Sequence, residues 1–112
     1  MDVAAELIRY LDAETSIGWY HNTPPDSGGE HGTLTRDGGP VEIVRDLPTM
    51  TLMVHAGSRK RAQELAREAS IALIESKWAI PNVFGAEILG SAYDPLDGRH
   101  RWRITASLIV ND

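Results

Sequence analysis

"TMTLMVHAGSRKRAQELAREASIALIESKW", residues 49–78, decides the architecture because two hydrophobic periods meet inside it. Over TMTLMVHA, Met50, Leu52 and Val54 alternate with Thr49, Thr51 and Met53, the two-residue repeat of a strand with one buried face. After Gly57 the repeat lengthens. Ala62, Leu65, Ala66, Ala69, Ala72 and Leu73 recur every three or four residues behind Ser58, a good helix cap, so the spacing predicts a helix to about Lys77. The stripe is rich in alanine, which lets the helix lie close against a sheet or against another copy of itself. A strand and a helix with one apolar side each call for a layer of helix on sheet.

Downstream, Pro81 stops the helix, and "VFGAEILGSAY", "DPLDG" and "RHRWRITASLIV" predict two long strands joined by a turn. In the last strand Trp102, Ile104, Ala106, Leu108 and Val110 share one face, and Arg101, Arg103, Thr105 and Ser107 share the other. Upstream, Val3, Ala4, Leu7, Ile8 and Leu11 line one side of a helix behind Asp2 as N-cap. That helix gives way near Ser16 to Gly18, where Trp19 and Tyr20 supply an aromatic anchor. Between these regions, residues 22–40 read "NTPPDSGGEHGTLTRDGGP". The segment at about 22–31 is too rich in glycine, proline and polar side chains to build a core, and it predicts a flexible loop that orders against a partner. GTLTR, the turn DGGP and VEIV predict a hairpin over 32–44. The order helix, hairpin, strand, helix, hairpin carries no internal repeat. It predicts a single α+β domain over 1–112, a mostly antiparallel or mixed β-sheet with two α-helices packed on one face.

The composition narrows the function. A formal charge of −5 argues against sequence-independent nucleic-acid binding, which draws its affinity from clustered Lys and Arg. The absence of cysteine removes disulfides, thiolate metal sites and a cysteine nucleophile, so packing or association must stabilise the fold. No apolar run approaches the roughly 20 residues that span a bilayer, and MDVAAEL lacks the plan of a secretory signal. Assembly in the cytoplasm is the expectation.

Catalytic signatures are missing. His21, His31, His55 and His100 lack the helical i, i+4 spacing of a two-histidine metal site, and the best cluster, His21, Asp26, Glu30 and His31, falls on the loop, where such groups are expected to be solvated. No serine sits in a G-x-S-x-G elbow or an S-x-x-K pair. Gly28, Gly29 and Gly32 precede a strand, whereas a phosphate-cradling loop runs from a strand into a helix. The chain is therefore expected not to be an enzyme, with no catalytic residue, metal or cofactor.

Two basic clusters stand out instead. Arg59, Lys60 and Arg61 occupy the first turn of the second helix, where cations oppose the helix dipole. Pairing with Glu64 and Glu68 is one account, and an acidic surface of a partner is the other. Arg99, Arg101 and Arg103 fall on one face of the last hairpin, where a row of guanidinium groups deters unwanted edge pairing or meets carboxylates across an interface. With Arg36 these residues form the candidate interface.

The running order resembles the tail terminator, or tail completion, proteins of long-tailed bacteriophages and prophages. It is carried by the helix ending near Trp19 and Tyr20, the glycine-rich loop, "TRDGGP", "VRDLPTMTLMVHAG", the helix opening "SRKRAQELARE" and the strands around "DPLDGRHRWRITASLIV". The long "NTPPDSGGEHG" segment departs from some relatives. The resemblance implies an α+β subunit of a ring, commonly a hexamer, on the head-proximal end of the tail tube. There it would end tail polymerisation and meet the head-completion or connector protein, within the virion at the head-tail interface. DNA would pass through without specific binding, and a net negative wall suits that passage. The alternatives are another head-tail connector or minor tail protein and, more remotely, a small α+β ligand-binding or metal-dependent enzyme domain using His21, His31 or His55.

Overall fold

A computed structural model describes residues 2–21, 29–38 and 46–111. Helix α1 covers Val3–Glu14, and Asp2 caps it by accepting from the Ala5 N–H at 3.1 Å. It ends where Thr15 turns extended while its N–H still reaches the Leu11 carbonyl. Strand β1 follows over Gly18–His21, β2 over His31–Gly38 and β3 over Thr49–Ala56. Helix α2 runs Arg59–Glu75 and tightens into a 3-10 turn, Ser76–Trp78. Strands β4 (Val83–Tyr93) and β5 (His100–Val110) complete the chain.

The five strands order as β1-β2-β3-β5-β4, with β1 and β2 parallel and the other neighbours antiparallel. This is the expected α+β architecture, with the sheet mixed. In register, Leu34 faces Leu52 and Leu52 faces Ile104, so one sheet face is a continuous apolar layer. Both helices lie on that layer. Ala62, Leu65, Ala66, Ala69, Ala72 and Leu73 are all buried, as the period requires, and so are Val3, Ala4, Leu7 and Leu11. Burying each of these leucines stabilises the fold by roughly 1.5–3 kcal/mol. Tyr10 binds the two helices together, its hydroxyl donating to the Ala72 carbonyl at 2.7 Å.

Two local features depart from the sequence reading. Trp19 and Tyr20 belong to an additional edge strand, β1, which pairs parallel with β2, rather than to a free anchor. Trp19 is buried, donates from Nε1 to Thr15 Oγ1 at 2.8 Å and from its backbone N–H to Asp12 Oδ1 at 2.7 Å. Its ring fills the space over Gly32, where a Cβ would stand only 2.5 Å from ring carbons. The second departure concerns β2. The first arm of the expected hairpin is present, and it pairs antiparallel with β3 along Gly32↔Val54 and Leu34↔Leu52. The turn at 39–40 and the second arm, VEIV at 41–44, lie outside the described residues, as do loop residues 22–28.

The last hairpin closes tightly. Leu96 and Arg99 exchange both backbone hydrogen bonds around Asp97 and Gly98, whose φ angles of 51° and 76° are those a two-residue Asp-Gly turn demands.

Candidate functional site

The candidate basic residues fall into three places. Arg36 sits near the end of β2 and forks onto Asp46, with both nitrogen-oxygen distances 2.6 Å. Arg59, Lys60 and Arg61 open α2 as expected, and each has a different fate. Arg59 lies over the Tyr93 ring at 4.8 Å, while Arg61 reaches Glu30 at 2.7 Å and Glu64 at 3.5 Å. Those carboxylates, Glu30 foremost, hold the Arg61 guanidinium charged above its ordinary range. Glu68, the other expected helix partner, instead accepts from the Ser16 N–H at 2.5 Å. The dipole conflict at this helix end is thus eased by Glu30, which comes from outside the helix. Arg101 donates to the Asp94 carbonyl at 2.9 Å and approaches its carboxylate at 3.3 Å, and Arg103 stands 3.7 Å from the same carboxylate. Arg99 is exposed at the hairpin turn.

A histidine pair lies beside these cations. His31 opens β2 and is directly opposite His55 of β3, so both rings project from the sheet face that carries no helix. The rings stack with centroids 4.2 Å apart and planes 11° apart, and Tyr20 meets His31 edge-on at 6.3 Å. His31 is only 4% exposed, which corrects the expectation of a solvated loop histidine. Its Nδ1 lies 2.6 Å from the Gly29 carbonyl, an acceptor only, so the neutral ring carries its hydrogen there and leaves a bare lone pair on Nε2. That Nε2 is buried without a partner, and so is Nδ1 of His55. Burial first, then His31, Arg101 and Arg99, push the His55 pKa down from 6.5 to about 4.

Around the pair is a cavity of about 320 Å³ lined by His31, His55, Ala56, Gly57, Gly98, Arg99 and His100. His100 is held there by the Tyr93 hydroxyl at 2.6 Å from Nδ1. The arrangement suits a polar ligand better than a metal ion. Imidazole coordinates in its own plane, and two parallel rings one above the other aim their lone pairs side by side rather than at one point. Among the described residues no group of three or more His, Asp or Glu could hold a metal ion. Of the cluster His21, Asp26, Glu30 and His31, Asp26 lies outside the described residues, Glu30 is engaged by Arg61 and His31 stacks on His55.

The histidine pair was not visible in the sequence. His31 and His55 are 24 positions apart and meet only through the β2–β3 register. The alternation of TMTLMVHA does put His55 on the face opposite Met50, Leu52 and Val54, and that was the one available signal. Compared with known proteins, the chain matches no family model and no curated protein.

Proposed function

We propose that this protein is a structural assembly subunit of the tail terminator type, a ring-forming protein that caps the head-proximal end of a phage tail tube and takes part in head-tail joining. The observation that carries this reading is the outer edge of the sheet. Strand β4 is eleven residues long, flanks only β5 among the described strands, and exposes Phe84 and Leu89. Exposed Trp78 precedes it. A long edge with large apolar side chains is an aggregation hazard for a protein that works alone, and a ready contact for one that works in a closed ring. Beside it a groove of about 470 Å³, lined by Leu47, Thr49, Gly85, Ala86, Glu87, Ser107 and Ile109, adds surface for a neighbouring subunit or for the tail tube protein. The reading draws also on the family resemblance of the sequence, and the alanine-lined α2 packs on the sheet.

In this reading Lys60 and Arg99, which form no salt bridge among the described residues, meet acidic surfaces of neighbours, such as the connector protein, while DNA passes the net negative wall without specific binding. The test is mass-resolved oligomeric state at high protein concentration, together with sedimentation on isolated tail tubes. Closed rings or retention on tube ends is the expected result. A protein that stays monomeric and ignores tubes is not a tail terminator, and locating it elsewhere in assembled particles would make it a connector or minor tail component.

A further inference from the structure

The cavity over the histidine pair makes demands that nothing else among the described residues meets. Three independent features converge on it. The first is the buried, unpartnered Nε2 of His31, with unpartnered Nδ1 of His55 stacked against the same ring. A buried polar atom left without a hydrogen bond costs about 1–3 kcal/mol, so its persistence calls for a partner that the described residues do not supply.

The second feature is charge. Arg99 from the β4–β5 turn and His100 from β5 line the cavity, and Arg101 from β5 is the register partner of His55. The nearby acids are mostly committed elsewhere. Glu30 is taken by Arg61, and Asp94 by Arg101 and Arg103. Asp97 is exposed one residue before Gly98 in the turn. Tyr93 is engaged with His100 and Tyr20 packs against His31 by its ring edge.

The third feature is the backbone. Ala56 and Gly57 line the cavity where β3 ends, just before the Ser58 cap of α2, so main chain rather than bulky side chain forms this wall. No acidic residue occupies the first turn of that helix.

We propose that this cavity is a receptor for one small oxyanion group, a carboxylate or a phosphate, which enters together with one proton. The oxyanion sits among Arg99, the histidine pair and the backbone at Ala56 and Gly57. The accompanying proton bridges an imidazole nitrogen and a ligand oxygen, so the orphaned lone pair becomes half of a hydrogen bond. Filling the site also removes the repulsion that Arg99, Arg101 and His31 exert on a protonated His55. Binding and proton uptake are therefore coupled. The proposal does not depend on ring assembly, because every residue it uses belongs to one chain.

The experiment is a titration of the full-length protein with sodium sulfate, inorganic phosphate and sodium acetate, each followed through the imidazole nitrogen resonances. Sulfate carries no proton of its own near neutral pH, so its binding in buffers of different ionisation enthalpy counts protons taken up by the protein. The expected result is saturable sulfate binding that shifts the His31 and His55 signals and tightens as pH falls, with a slope of no more than about tenfold per pH unit, the limit for one linked proton. Acetate binding at comparable strength identifies a carboxylate receptor. Phosphate and sulfate binding without acetate identifies a phosphate receptor.

Arg99→Gln, at an exposed turn position, is expected to keep the fold and to weaken sulfate by about tenfold, the loss of one charge-assisted hydrogen bond. His55→Gln is expected to remove the pH dependence. No saturable shift at either histidine, affinity that ignores pH, or full binding by Arg99→Gln would each overturn the proposal.

Discussion

The two edges of the sheet are built on opposite principles. At one edge β1 is four residues long, and its single inward side chain, Trp19, is buried over Gly32 and hydrogen-bonded to Asp12 and Thr15. At the other edge β4 is eleven residues long, slips register near Gly85 and Gly90, and leaves Phe84 and Leu89 in solvent. The first edge is closed by the chain's own side chains, with a short strand that offers little template for pairing. The second is long and apolar but kinked twice, so an incoming strand cannot pair along its whole length. Stability is therefore concentrated at the β1 edge, and capacity for association at the β4 edge.

The largest effect should come from removing the plug of the closed edge. Trp19→Ala deletes a buried indole and is expected to cost about 3–5 kcal/mol, read as a lower midpoint in urea unfolding. Gly32→Ala attacks the same contact from the other strand. A Cβ there must displace a packed indole, at a cost of about 1–3 kcal/mol. Because both changes act on one contact, Gly32→Ala combined with Trp19→Leu should cost less than the sum of the two single variants, a non-additivity that independent sites do not show. Asp12→Ala takes the acceptor from the Trp19 backbone N–H and is expected to cost about 1 kcal/mol in the same assay.

Acid should weaken the fold through the histidine pair, which joins β2 to β3 and lies away from the β4 edge. The folded pKa of His55 lies below its ordinary value, so its contribution is complete above about 6.5 and falls away as pH drops through that value toward about 4. The effect should be modest because the ring is partly open to solvent. Urea midpoints at about pH 7.5 and about pH 5 should differ for the natural chain, and His55→Gln should reduce the difference. The smallest effect on folding is expected at the open edge. Phe84→Ser together with Leu89→Ser should change monomer stability by no more than about 0.5 kcal/mol per site, as for surface positions, yet abolish self-association at high concentration. A large loss of stability would mean that these side chains serve the fold rather than an interface.

Elements whose signal lies within one strand or helix were readable in the sequence. All six positions of the α2 stripe, the Ser58 and Asp2 caps, the alternation in β3 and β5, and the Asp-Gly turn are each set by neighbours a few residues away. Strand β1 was missed because GWYH is too short to display a period, and its parallel partner begins at His31, ten positions beyond its last residue. The reason for a glycine at position 32 is equally invisible, since it lies in the ring of Trp19 on another strand. Side-chain partnership failed in the same way. Helical spacing offered Glu64 and Glu68 to the basic turn, but Glu30 provides the closer partner for Arg61, and Glu68 caps the chain at Ser16. For Arg101 and Arg103 the sequence showed a row on one face, but not that Asp94, across the hairpin, serves both.

Trp78 gives the molecule an optical consequence. Its indole is 81% exposed, with Lys77 Nζ 5.1 Å from the ring centroid, whereas Trp19 is 3% exposed and Trp102 is half-buried with its Nε1–H bonded to Ser91. Collisional quenchers such as iodide should therefore extinguish Trp78 emission first and leave Trp19 bright. A neighbouring molecule that covers the approach to β4 would shield Trp78 without altering Trp19. One chain thus carries an exposed lamp beside its open edge and a sealed reference lamp in its closed one, so coverage and unfolding can be told apart by light alone.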